Sequence, residues 1–354
     1  MIVGSVKRLV AASLRDPLTA VLVLCGATLV KVGLAPVPDL ALEAAVSRDP
    51  RVFNPEWAYY TWLWNSPLNK IVTFVVGLGG DERMFLVASG LLLSLGLGLV
   101  IGLCLWHPEQ RILRLAGVAG VFLGPLLSSQ LVWLGKSDVP AIIAGFCLAF
   151  GVAPVGLLIS SFVGGFNHFE VAVLQAIIFA VLPARRDRAT LKTRELAIFS
   201  AGVLGGRVAL HVWNSEFDIS PWSRADWVVT YIENHVWNLL ANPFVWLFSL
   251  LGVGWLPLVL LAASADTRSR YRLLAAILFV IAACSVVADS SRIASLISIP
   301  LLCFVGSECL TGATLSESRK RDVLVLGILC PPVVWWGGSA VVTGWPYVGK
   351  LLGL

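Results

Sequence analysis

Two short polar motifs flank a long apolar stretch. Gly135–Asp138 (GKSD) opens it, Asn167–Glu170 (NHFE) closes it, and residues 139–166 between them are almost entirely apolar. Lys136, Asp138, His168 and Glu170 are therefore ionisable groups at the edges of a hydrocarbon-like segment. Such positions are costly unless they are paired or face a watery cavity, which makes them candidates for function. A carboxylate or an imidazole there can carry a proton, and a cation can hold a phosphate or pyrophosphate. On this basis His168 and Glu170 are candidate catalytic groups, and Lys136 and Asp138 are candidate substrate-binding groups. Asn167 can cap a helix starting at NHFE, and such a helix terminus favours an anion. His168 and Glu170 are two apart, so on a regular helix they do not face each other.

Further ionisable residues stand near the ends of other apolar runs. Asp289 and Arg292 (in ADSSR) are three apart and adjacent on a helix face, so a local salt bridge is the cheapest account of them. Arg207 lies inside an apolar run, one turn before His211. For each residue alone, the bland account is an interfacial side chain reaching for water or closing a structural ion pair. Their convergence on one face is what favours a site. The seven cysteines fall in or beside apolar stretches and form no CxxC or Cys/His pair, so neither zinc nor a disulfide framework is indicated. No ligand spacing requires a metal, although the acidic residues of the first loop leave a divalent cation open. There is no Walker sequence, dinucleotide fingerprint or hydrolase elbow, and nothing supports nucleic-acid binding.

The elements that must position these groups are set by composition. Of 354 residues, 58% are hydrophobic and 13% charged, with a mean hydropathy of +0.86. That is the profile of an all-α, polytopic membrane protein folded as one domain over residues 1–354. Membrane lipids are its surroundings. The apolar blocks read as eleven spans: 17–34, 84–106, 115–134, 139–150, 154–166, 171–182, 196–213, 243–262, 273–287, 293–305 and 323–340. Lys7, Arg8 and Arg15 precede the first and suit a retained anchor, with the N-terminus inside.

Residues 139–166 could be one helix or two folded at GVAP (Gly151–Pro154). The loop ARRDRATLKTR (Ala184–Arg194), with five basic residues, decides for the hairpin, because basic loops stay on the cytoplasmic side. GKSD and NHFE then share the outer side. Two long loops also lie there, 35–69 and 214–241, the second holding the amphipathic WSRADWVVTYIENHVW. Trp57, Trp62, Trp64, Trp213, Trp222, Trp227 and Trp237 gather in or beside them. Elaboration of one face marks it as the working face.

A first span followed by an acidic, aromatic outer loop, here Asp39 through Ser66–Leu68, resembles the GT-C class of membrane glycosyltransferases and, more loosely, the O-antigen polymerases. Short hairpin spans with polar outer ends add to the likeness, which covers about the first 200 residues. The resemblance implies sugar transfer at the non-cytoplasmic face of the inner membrane. The donor would be a polyprenyl-phosphate- or pyrophosphate-linked saccharide and the acceptor a glycan or lipid. It also implies an acidic base in the first loop, with Asp39 the nearest match and Glu43, Asp49 or Glu56 farther on. Cations at outer helix ends, Lys136, Arg207 and Arg292 by position, would hold the lipid phosphate. The paired-acid motif of many GT-C members is absent. A transporter or lipid flippase is the alternative, and a structural envelope subunit a third.

Overall fold

The computed structural model describes residues 2–33, 39–58, 60–136, 138–183, 189–287, 289–312, 315–336 and 339–342. These residues are all-α apart from one small hairpin. Asp16 separates α1 (Ile2–Arg15) from α2 (Pro17–Val32). Its carboxylate accepts the Leu18 and Thr19 N–H groups, and Pro17, with no N–H to lose, takes the first helical position. The first loop folds into three short helices, α3 (Leu40–Arg48), α4 (Thr61–Asn65) and α5 (Leu68–Val75). Val46, Leu63, Trp64 and Ile219 form a small core under it, so the two long loops meet.

Asp81 caps α6 (Glu82–Leu105), whose exposed Leu91, Leu95 and Leu99 leave an apolar outer face. α7 (Arg111–Phe122) and α8 (Leu126–Val132) bend by 55° across a break that contains Pro125, which cannot donate to a continuing helix. α9 (Val139–Phe150) ends at Gly151, whose φ of 60° is left-handed backbone that glycine adopts without strain. α10 (Pro154–Val181) follows after Pro154 and leaves helical geometry at His168 (φ −145°, ψ 64°).

That break is a reversal. A Cβ on Gly164 would lie 3.9 Å from the Cβ of Ala172, whereas eight residues along a straight helix span about 12 Å. Gln175 donates to the Ala141 carbonyl, and Phe179 and Leu182 line the same cavity as Ala149 and Phe150. Three short helical arms, 139–150, 154–167 and 169–181, therefore run back and forth beside one another. Both the turn at GVAP and the placement of NHFE next to GKSD are present.

The remaining elements enclose these arms. α11 (Ala189–Glu216) packs along α10. α12 (Arg224–Ala241) starts at a capping box made by Ser223 and Asp226. α13 (Pro243–Leu251), α14 (Trp255–Ser264) and α15 (Thr267–Cys284) lead to α16 (Ser290–Ile297) and α17 (Ile299–Thr311), which bend by 60°. Pro300 lacks the N–H that the Leu296 carbonyl would receive, and Gln175 supplies one at 2.9 Å. α18 (Glu317–Leu329) precedes an antiparallel pair, β1 (Val333–Trp336) and β2 (Ser339–Val342).

The expected eleven spans are not formed. Among the described residues, four helical stretches are long and apolar enough to cross a membrane, or up to six if each bent pair is one span, and one of the four is α10, which folds back at His168. The reason is local. Gly and Pro cut the apolar runs into pieces too short to cross alone, such as Val139–Phe150, and burial inside the bundle accounts for their hydrophobicity instead. The run at 323–340 fails differently. Pro331 and Pro332 stop α18, and the β-branched and aromatic Val333–Trp336 pairs as a strand. Residues 34–38 of the first loop and 184–188 of the basic loop lie outside the described residues.

Candidate functional site

A chain of paired polar side chains runs from the first loop into the bundle. Asp138 precedes α9 and is wholly buried. It accepts four hydrogen bonds: from Arg292 Nε and Nη2, both 2.6 Å, from Gln130 Nε2 at 2.9 Å and from His168 Nε2 at 3.0 Å. Arg292 lies in the first turn of α16 and also donates from Nη1 to Asp289 at 2.7 Å. The local Asp289–Arg292 bridge is thus half of a larger unit. Its other half joins residues 154 apart in sequence, in the bidentate geometry that suits guanidinium to carboxylate.

Because an ionised Asp138 only accepts, His168 donates from Nε2, which leaves Nδ1 as the ring atom that can take up a proton. Asp138 thereby fixes the tautomer and orientation of the imidazole. The Ser66 hydroxyl lies 3.1 Å from Nδ1 and 3.4 Å from Nε2. Nearly equal distances place it off the Nδ1 lone-pair direction. Ser66, His168 and Asp138 are neighbours without the alignment of a nucleophilic triad.

A second cluster adjoins through Ser66, whose carbonyl accepts from Lys70 Nζ at 3.0 Å. Lys70, 1% exposed, pairs with Glu43 Oε2 at 2.8 Å. Lys136 reaches Glu43 Oε1 at 3.1 Å and Asp39 Oδ2 at 3.8 Å. Burial alone would raise the Glu43 carboxyl, but the Lys70 and Lys136 ammonium groups hold it below its ordinary value. Burial pushes Lys70 down, and Glu43 offsets part of that. Sequence spacing brings these groups together only through backbone turns. Gly135, at a φ of 122°, makes the turn into Lys136, and its carbonyl accepts from Asn69 Nδ2 at 3.0 Å. Asn167 also reaches outside its own helix. Its Oδ1 accepts the Leu68 N–H at the start of α5, tying the first loop to the α10 reversal at the residue before His168.

The residues singled out by sequence therefore separate. Asp39, Lys136, Asp138, His168, Asp289 and Arg292 come together in one network. Glu170 sits two residues beyond His168, partly buried. Glu56 is exposed on a 3-10 turn of the first loop. Arg207 is exposed on α11 with its guanidinium 5.4 Å from the Phe169 ring centroid, and His211 is exposed one turn later. Lys70, Ser66 and Gln130 escaped the sequence reading. The available signal for the first of these is a lysine inside LNKIVTFV, whose buried side is polar, made by Asn69, Lys70 and Thr73. Among the described residues, no group of three His, Cys, Asp or Glu side chains is placed to hold a metal ion.

Chemically, the arrangement offers an oriented imidazole backed by a carboxylate, with Arg292, Lys70 and Lys136 close by to receive negative charge. No family model, curated protein or solved structure matches the chain.

Proposed function

We propose that this chain is an inner-membrane glycosyltransferase or polysaccharide polymerase. It would take a sugar from a polyprenyl-phosphate- or pyrophosphate-linked donor at the non-cytoplasmic face and pass it to a glycan or lipid acceptor. The observation that carries this reading is the His168–Asp138–Arg292 unit, buried beside two lysines at the edge of the first loop. In the step, His168 Nδ1 takes the proton of the acceptor hydroxyl. The acceptor oxygen bonds to the anomeric carbon, and the bond from that carbon to the phosphate oxygen breaks. The phosphate leaves with the electron pair, and Lys136 stands nearest the cavity to receive its charge. Asp138 and Arg292 act as positioning residues that hold the imidazole.

The test is transfer of radiolabelled sugar from a polyprenyl-linked donor by the purified protein. His168→Ala should lower the rate by about 10²–10⁴-fold, the range for removing a general base, with unchanged folding. A wild-type rate in that variant would remove the proposal.

Transport is the second reading, because the interruption of α10 at His168 resembles the broken helices of transporters. Against it, α9 continues below Asp138 with the buried apolar Ile142, Phe146 and Leu148. Flux of a lipid-linked saccharide in proteoliposomes, without product, would favour transport.

A further inference from the structure

A cavity of about 200 Å³ opens beside the network. Val72 of α5, Leu92 of α6, Ile143 of α9 and Val163 of the first α10 arm bound it, and Asn69, Ser89 and Lys136 are its polar lining. The neighbouring faces of α6 and α10 carry exposed Leu91, Leu95, Ile159 and Phe162. Exposed apolar side chains of this kind suit a face turned to lipid or to an apolar ligand. The cavity is therefore a mainly apolar recess that has Lys136 as its cation among the described residues and exposed apolar side chains on the helices beside it.

Lys136 is also the member of the network best placed to change partners. Its side chain is 11% exposed, against 1% for Lys70. If it turns away, Glu43 keeps Lys70 at 2.8 Å and is not left as an unpaired buried charge. Asp39, whose side chain is 27% exposed, can turn to water. A phosphate offers three strong acceptor oxygens in exchange.

Resting on the transferase reading, we propose that the cavity receives the single branched hydrocarbon chain of an isoprenoid phosphate, entering between α6 and the first arm of α10, and that its phosphate takes Lys136 from Asp39 and Glu43. A recess of about 200 Å³ suits one chain rather than two, and the methyl groups of Leu68, Val72, Leu92, Val139, Ile143 and Val163 suit a methyl-branched one. Asp39 then competes with the ligand, so removing its charge should strengthen binding.

The experiment measures binding of farnesyl phosphate to the full chain in detergent micelles, with inorganic phosphate, farnesol and dioleoyl phosphatidate as comparison probes. Farnesyl phosphate should bind at least tenfold more tightly than any of the three. Leu92→Trp and Val163→Trp, which fill the recess, should each weaken it at least tenfold, as should Lys136→Gln. Asp39→Asn should tighten it a few-fold, which loss of a merely structural ion pair would not do. Should the tryptophan variants lower the unfolding midpoint, the smaller Val72→Phe serves in their place. Wild-type affinity in the filled variants, equal binding of phosphatidate, or weaker binding by Asp39→Asn would each overturn the assignment. Tight binding of farnesyl phosphate without any sugar transfer would remove the transferase reading but support the recess. Transfer at the wild-type rate by Val163→Trp would remove the recess but support the transferase.

Discussion

At the Phe150 end of the three-armed bundle, Arg114 donates to the carbonyls of Leu103 and Phe150, and Lys192 to those of Ala180 and Leu182. These oxygens sit at or near the C-terminal ends of α6, α9 and α10, where a helix has no N–H left to offer them. The two cations complete helices and meet the negative ends of their dipoles. Lys31 does the same for α18 through Gly327 and Cys330. Glu195 lines the same cavity as Arg114 and Lys192 and its charge acts on Lys192, so what sets the Phe150 end apart is the bonding to helix-end carbonyls. At the opposite end, Arg292, Lys70 and Lys136 are paired directly with carboxylates. No helix requires those pairs. A buried ion pair is often no more stabilising than well-packed apolar residues of similar volume, so stability alone does not explain why the chain builds one there. The first set of cations is accounted for by the fold, and the second calls for a function.

Three measurements break or sharpen that contrast. The largest effect belongs to Arg292→Met, which strands both Asp138 and Asp289. It should cost about 3–5 kcal/mol of stability, read by thermal unfolding in detergent, and adding Asp138→Asn should restore part of the loss. If the single variant unfolds like wild type, the pairing is not what the geometry indicates. Next, Arg114→Met removes carbonyl bonds from a charged donor and should cost about 1.5–3 kcal/mol. Sugar transfer per folded molecule should stay unchanged, and a selective loss of transfer would erase the distinction between the two ends. The smallest effect concerns pH. Glu43 is held below its ordinary carboxyl value of 4.5, so its contribution is full above that pH and fades as pH falls through the lower folded value. The unfolding midpoint of wild type should therefore drop more steeply than that of Glu43→Gln between about pH 5 and pH 3. Parallel profiles would show that Glu43 is not carrying the charge assigned to it.

Much of this site could be read from the chain because charge is rare in it. Asp138, His168 and Arg292 stood out against apolar surroundings, and the basic loop after residue 183 pointed to the hairpin that unites the first two. Lys70 was not legible. Its partner Glu43 is 27 residues away in a loop rich in other acids, and pairing across such a loop leaves no periodic trace. Arg292 looked satisfied by Asp289 three residues earlier, which concealed its longer reach to Asp138. The span count erred because hydropathy records burial without distinguishing lipid from protein as the apolar neighbour. Val139–Phe150 is as apolar as a span but only 12 residues long.

The spacing of the bidentate bond has a consequence for synthesis. Asp138 is translated 154 residues before Arg292, the cation that neutralises it. At ribosomal speeds of about 5–20 residues per second, that is roughly 8–30 s during which the nascent carboxylate lacks its guanidinium. Ser291, next to Arg292, in turn exchanges hydrogen bonds with the backbone of Trp335, 44 residues later still. Of its hydrogen-bond donors, Asp138 has only Gln130 and His168 until Arg292 is made, so the network closes only as later parts of the chain arrive.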